Sequence, residues 1–428
     1  MRKFSLFILF FLISQISFGW GAHFLVTDKA LDTPELKGFL DMQTKSEPIE
    51  LFLFAQKKPL VALFDGYYQW LQTTPSKRFL VGHFSENDPT LLGFLKAARL
   101  NPKATFPLLR RRFPSEKPLR NPILLNVISP HEKIDPYFTQ EFENAQGRQM
   151  TMREILTTFS DEPDWTIDYA LWDIPEYGYG TKPYGKTNEP WSGAAFHMQF
   201  SHENFIIRTL APTVQDGMAQ DRIELFLRLS RLAFSTQHPY WGARFAAHAI
   251  HYMQDLSQPY HAKAVPFANF NYYLKFAFSA DKEKYIRDTT QLVSNRHLLF
   301  EDFIRGYMEK QDLVQTQESK NLIQALSSGK PMISKISKRE TSENLFKEVS
   351  ERSVEIAWKL DNAVATVYGP RMTGDPTYDF DSDTQYSAGA VYSKSAVELE
   401  ALVKVAMTPL TTAGEATRTL LEMCRSAP

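Results

Sequence analysis

The chain has 428 residues, 43% of them hydrophobic, and its 48 basic and 49 acidic side chains leave a formal net charge of −1. That length and apolar share suit a folded globular protein of one large body or two domains, and exclude a low-complexity or disordered chain. The near-neutral balance gives no global attraction to phosphate polymers, and the single Cys424 excludes an intrachain disulfide framework.

Residues 1–19 read as a secretion signal. Arg2 and Lys3 make a positive start, Phe4 to Ile13 is almost wholly apolar, and the small residues Ser17 and Gly19 precede a cut ahead of Trp20. The apolar run is shorter than the roughly 20 residues that a membrane span needs. The expected protein is therefore exported, either secreted or periplasmic. Cleavage there leaves Trp20 as the first residue, able to offer a metal its free α-amine and its carbonyl oxygen. Without disulfides, such a protein relies on its core, on bound metal, or on both.

Helical patterns dominate the rest. Phe24 to Leu40 and Glu50 to Leu71 carry apolar residues at helical spacing, with Pro59 a kink or break in the second. From Asn101 to Pro136 prolines recur so often that a loop or connector is expected. Thr151-x-x-Glu154 resembles a capping box opening a short helix toward Phe159. Trp165 to Trp191, with its Tyr-Gly-Tyr-Gly run, reads as an aromatic loop. Asp221 to Phe234 is amphipathic, and Tyr240 to Gln258 is expected as a helix because Pro239 suits a first turn while Pro259 forbids continuation. Ser342 to Tyr368 is helical in pattern and meets a stop signal at Gly369-Pro370. Strands are expected to be minor.

The chemistry concentrates between Ala247 and Ala262. On a helix, His251 and Asp255 lie one turn apart on one face, so an imidazole nitrogen and a carboxylate oxygen converge on one cation. Pro259 turns the backbone and lets His261 face the same cavity. A buried histidine hydrogen-bonded to an aspartate is the alternative for the pair alone. His297-x-x-x-Glu301 repeats the one-turn spacing; by itself it describes a surface pair, and its meaning comes from the company it keeps. Imidazole and carboxylate ligands with an open position suit catalytic zinc.

Other features carry blander readings. His248 is expected as a packed or supporting histidine on the side of His251. Asp379-x-Asp381-x-Asp383 lacks the glycine and glutamate of a calcium loop and reads as a solvated acidic loop. Arg110, Arg111 and Arg112 read as a solvated charge run. Val265 to Phe278 reads either as an apolar lid that meets lipid or as aromatic side chains packed on the core.

Taken together, the motifs resemble the bacterial zinc-dependent phospholipases C and the related fungal single-strand-specific zinc nucleases. Trp20, His23, His251, Asp255, His261, His297 and Glu301 match that family's ligand pattern, and Glu301 in place of an aspartate matches the phospholipase branch. The resemblance implies an all-α, multi-helix globular bundle enclosing a tri-zinc cleft, with long loop insertions. It implies a domain over 20–370, interrupted by an insertion at about 41–150, and a carboxy-terminal extension over 371–428. One zinc ion would be held by Asp161, His197, His251 and Asp255; a second by Trp20, His23 and Asp255; a third by His261, His297 and Glu301. Asp161 would double as general base, with Asp164 close behind it in the same short motif. Only Gly21 and Ala22 separate Trp20 from His23, and the acidic residue that helps hold choline in the phospholipases has no counterpart. The implied protein is a monomeric phosphodiester hydrolase acting on phospholipid head groups, with peripheral contact to a membrane. A single-strand nuclease acting on nucleic acid and a non-catalytic exported zinc-binding protein are the alternatives.

Overall fold

The computed structural model describes residues 20, 22–74, 82–128, 140–183, 192–309, 314–332, 341–383, 391, 394 and 396–426. The expected signal at 1–19 lies outside the described residues. At 65% helix and 4% strand the fold is all-α, as expected.

The architecture is built around the helix Pro239–Ser257. Pro239 occupies its first turn, where a missing N–H leaves no bond unmade. Every residue from Tyr240 to Ser257 is buried, so polar side chains on this helix must find partners inside the protein. The preceding helix, Ala219–Ser235, packs back against it. The two backbones approach closely at Gly242, where a Cβ would meet the Phe234 ring at 2.6 Å. Ser230 Oγ donates to the Gly242 carbonyl at 2.7 Å and closes the same contact.

The carboxy-terminal segment completes this core. Ala396–Arg425 is a 30-residue helix packed against Pro239–Ser257, Glu343–Gly374, Gln317–Ser327 and His23–Leu31. Leu402, Ala406, Leu410, Ala413 and Leu420 recur at helical spacing and are fully buried. Arg418 donates to the carbonyls of Ala30, Leu326 and Ser328, which joins three segments at one guanidinium.

The stretch 41–150 covers the amino-terminal half of the central helix, with Phe52 and Phe94 set against Trp241 and Phe245. It also takes part in two small antiparallel sheets. Gln43–Lys45 pairs with Gln149–Thr151, with Thr44 opposite Met150. Glu141–Asn144 lies between Leu109–Arg111 and Ile123–Leu124. The proline-rich stretch expected as pure loop therefore contributes two short strands.

Local expectations change where tertiary contacts intervene. The helix expected over Phe24–Leu40 ends at Leu31 and resumes as Lys37–Leu40, with Pro34 in the break because a proline offers no N–H to continue the ladder. In the next helical stretch the break falls at Gln56 (φ −106°, ψ 17°), and Pro59 sits harmlessly in the first turn of Lys57–Leu71. Thr151 and Glu154 form the expected capping box and open the helix Met152–Phe159. Helical structure runs on to Gly374 past the expected stop, although Gly369 (φ 79°, ψ 172°) breaks it at the expected place.

The charge run Arg110–Arg112 is not solvated. The strand Leu109–Arg111 is buried along its whole length, so its cations require carboxylates. Arg110 pairs with Glu116, Glu143 and Glu154, Arg111 with Asp161, and Arg112 with Glu141. Among the described residues no helix is long and apolar enough to cross a membrane.

Candidate metal centre

The carboxy-terminal half of the central helix carries the site. Helical spacing stacks His251 over Asp255, and both are fully buried. After Ser257 the Gln258 side chain accepts the Tyr260 N–H at 2.6 Å and starts a one-turn helix, Pro259–Ala262, which returns His261 toward Asp255. His297 and Glu301 project from the long helix Lys282–Glu309, and His197 ends the short helix Ala194–His197. Three groups of side chains that could hold a metal ion result: His23, Asp164 and His251; His197, His251 and Asp255; and His261, His297 and Glu301.

Distances within these groups are short. His197 Nδ1 lies 2.9 Å from Asp255 Oδ2 and 2.9 Å from His251 Nε2. His251 Nε2 is 3.2 Å from Asp255 Oδ2 and 3.5 Å from Asp164 Oδ1. His261 Nε2 faces His297 Nε2 at 2.9 Å and Glu301 Oε1 at 3.5 Å, and His297 contacts Glu301 directly. His23 Nε2 lies 3.4 Å from Asp255 Oδ1. Asp255 thus joins two groups, one through each oxygen. Ligand atoms around a tetrahedral zinc with bonds of about 2.0–2.1 Å stand about 3.3 Å apart, close to this spacing.

The outward ring nitrogens fix the inward ones. A carbonyl oxygen only accepts, so His251 Nδ1 donates to Ser160 O at 2.7 Å and its Nε2 presents a lone pair to the cluster. His261 Nδ1 donates to His197 O at 3.0 Å with the same consequence. The Gln254 amide nitrogen donates to Thr27 Oγ1 and Thr417 Oγ1, which leaves its oxygen to accept from His23 Nδ1 at 2.9 Å and turns His23 Nε2 inward. Such outer hydrogen bonds are how proteins orient metal-binding imidazoles. Three buried inward atoms, His23 Nε2, Asp255 Oδ1 and Glu301 Oε2, have no hydrogen-bond partner. Unsatisfied buried acceptors and facing imidazole nitrogens are costly without a cation, so the donor set fits a metal ion.

The electrostatics agree. Burial, and then the neighbouring His23, hold His251 well below the ordinary imidazole range. Burial works against charge on Asp255, yet His251, His23 and His261 hold its carboxyl well below the usual carboxylate range. A neutral imidazole and an ionised carboxylate are the forms a metal requires. Burial pushes Glu301 up to about 7. At His23 burial opposes the charged form but Asp255 outweighs it, so its pKa is raised. A cation among these groups would favour the ionised Glu301 and the neutral His23.

Not every expected ligand joins the cluster. The oxygens of Asp161 are committed elsewhere, Oδ1 accepting the Phe24 N–H at 2.9 Å and Oδ2 pairing with Arg111. Asp161 is a structural ion-pair partner; Asp164, three residues on in the π-helical turn Pro163–Ile167, faces His197 and His251 instead. Trp20 is buried against the end of the central helix, its indole donating to Gln254 O at 2.8 Å and to Ser257 Oγ at 3.1 Å. Among the described contacts none joins its α-nitrogen to the cluster. His23, His197, His251, Asp255, His261, His297 and Glu301 do come together.

Sequence reading missed the supports. Asp168 holds Arg222 at 2.6 Å, accepts the Tyr252 hydroxyl at 2.6 Å and stands 3.5 Å from His197 Nε2. Its signal was its place one helical turn after Asp164. Gln254 and Gln258, whose amide donates to Glu301 Oε1 at 3.0 Å, were visible as polar residues inside the ligand-bearing stretch. His248 is packed on Phe226 and bonded to Glu162, outside the three groups. In comparisons with known proteins, no family, curated protein or solved structure matches the chain.

Proposed function

We propose that this chain is an exported, zinc-dependent phosphodiester hydrolase whose substrate is a phospholipid head group. The observation that carries the reading is the placement of three metal-capable groups around one buried carboxylate, Asp255, which faces His197 and His251 with one oxygen and His23 and His261 with the other. A single structural ion needs one closed set of about four ligands, so a cluster of this size argues for chemistry. Zinc held there would supply a Lewis acid for phosphate oxygens and bring the pKa of a bound water from 15.7 toward roughly 7.

The chain's own residues do the rest. His197, His251 and Asp255, with Asp164, would hold one ion; His261, His297 and Glu301 another; His23 and Asp255, joined by the terminal amine of a processed Trp20, a third. Asp168, Gln254 and Gln258 keep the ligands oriented, and the buried setting strengthens every charge interaction with the substrate phosphate. Removal of a proton from the attacking water falls to Asp164, since Asp161 is occupied by Arg111 and the Phe24 N–H. The chain's net charge of −1 favours a lipid over a polynucleotide, as does the resemblance of His297-x-x-x-Glu301 to the phospholipase branch.

Product analysis on a mixed phospholipid panel beside single-stranded DNA, with and without chelator, tests this. The expected outcome is release of phosphorylated head groups with diacylglycerol left behind, abolished by chelation. Nucleotides released without lipid hydrolysis would transfer the reading to a single-strand nuclease. Bound zinc with neither product would leave a non-catalytic zinc-binding protein.

A further inference from the structure

The one-turn helices that carry His197 and His261 lead on through loops to two further helices, Phe205–Leu210 and Phe270–Phe278. They are tied together at their base, where Glu203 accepts the Ala264 N–H at 2.8 Å and pairs with Lys263 at 2.8 Å. Farther out, Asn204 Nδ2 donates to the Tyr273 hydroxyl at 2.6 Å. One side of Phe270–Phe278 is anchored: Phe276 is buried, and Tyr272 packs between Phe267 and Tyr285. The other side is not. Phe270, Leu274 and Phe278 follow one another at one-turn spacing and are 74%, 39% and 84% exposed, and Phe205 on the neighbouring helix is 80% exposed.

Single exposed apolar residues are ordinary; several on two adjoining helices mark an interaction surface. Charge indicates the partner. Across 201–210 and 263–282 stand four basic side chains, Arg208, Lys263, Lys275 and Lys282, against the acidic Glu203 and Asp281, whereas the whole chain is slightly acidic. Arg208, Lys275 and Lys282 are exposed. An exposed aromatic edge with lysine and arginine beside it suits the boundary between head groups and acyl chains, where rings enter and cations meet lipid phosphates.

We propose that the paired helices Phe205–Leu210 and Phe270–Phe278 form a docking face for a lipid bilayer carrying anionic head groups. The inference deepens the proposed function and rests on it for its purpose, while the face itself stands on exposure and charge. Docking there would bring the bilayer to the loops that follow His197 and His261.

The test is co-sedimentation of the processed, zinc-loaded protein with vesicles of phosphatidylcholine alone and of phosphatidylcholine mixed with phosphatidylglycerol. The native protein should bind the mixed vesicles more tightly. A Phe270→Ser, Phe278→Ser double variant should lose at least about ten-fold in vesicle affinity, because each phenyl ring withdrawn from water is worth about that factor. Zinc content, helicity and hydrolysis of a soluble short-chain phosphodiester should be unchanged in that variant. Absence of vesicle binding by the native protein, or equal binding by the variant, overturns the docking face. Vesicle binding without hydrolysis of any lipid leaves the face intact and overturns the phospholipase reading, so the two failures are distinct.

Discussion

The two halves of the helix Pro239–Ser257 bury similar chemistry to opposite effect. In the first half Arg244 donates through Nε and Nη2 to Glu162, and His248 Nε2 bonds the same carboxylate at 2.7 Å. The cation lies over the Phe159 ring at 3.8 Å, so charge is answered by opposite charge and by an aromatic face. There burial would raise the Glu162 pKa, but Arg244 and His248 lower it below the ordinary value of 4.5. In the second half, two turns along, His251 and Asp255 meet other imidazoles and carboxylates, and His23 Nε2 and Asp255 Oδ1 are left without hydrogen bonds. One half is closed by an arginine. The three metal-capable groups of the other contain histidine, aspartate and glutamate but no arginine or lysine, and that separates a packing network from a ligand set more sharply than burial does.

The largest expected effect comes from removing the shared carboxylate. Asp255→Ala should abolish hydrolysis and lower zinc content by more than one ion, and the melting temperature should respond less to chelator, with the remaining response due to the ion at His261, His297 and Glu301. Asp164→Asn should act in the same direction. Asp161→Asn should instead leave zinc content intact and destabilise the fold by about 3–5 kcal/mol, since Arg111 would remain buried without its partner. Elemental analysis beside denaturant titration separates these outcomes, and zinc loss in Asp161→Asn with none in Asp164→Asn would reverse the assignment.

The closed half should fail differently. Arg244→Met leaves Glu162 buried without its main partner, at an expected cost of about 3–5 kcal/mol, while the folded fraction keeps its full zinc complement. Urea unfolding with zinc quantified on the refolded protein reads both quantities. Loss of zinc in proportion to stability would mean that the two halves are one network.

Between these extremes lie the residues that orient ligands. Gln254→Ala removes the acceptor for His23 Nδ1 and should weaken zinc binding about 10–100-fold. Competition against a chelator of known affinity measures it. The effect should be confined to the ion bound by His23.

What the sequence disclosed follows the range of the interactions. His251, Asp255 and His261 were legible because one helix and one proline turn carry all three within eleven residues. Asp161 and Asp164 sit three apart in one motif, and the choice between them is made by Arg111, fifty residues upstream on a strand. Nothing local in Arg110-Arg111-Arg112 reveals that carboxylates from 116 to 161 will neutralise it. The role of Ala396–Arg425 was equally hidden, since its partners lie on helices from both ends of the chain. Helix-start signals read well because their chemistry is contained within four residues, as Thr151 and Glu154 demonstrate.

That capping box allows the smallest test, because Glu154 belongs to an arginine–carboxylate group like that of Glu162 but nearer the solvent. Glu154 bonds the Thr151 N–H at 2.8 Å and pairs with Arg110. Burial raises its pKa, but the Thr151 N–H and Arg110 outweigh this and hold it below the ordinary value of 4.5. A carboxyl whose folded pKa is depressed contributes stability above its unfolded pKa and loses that contribution as pH falls through the folded one. Glu154→Gln keeps a side chain able to complete the box and removes only the charge. It should therefore cost about 1 kcal/mol or less at neutral pH, given partial solvent screening. Below pH 4.5 the gap between native and variant protein should close, as followed by urea unfolding across that range. A gap that stays constant would mean that Glu154 acts through shape alone. The comparison with Arg244 and Glu162 would then rest on burial, with charge pairing playing no part at the half-buried site.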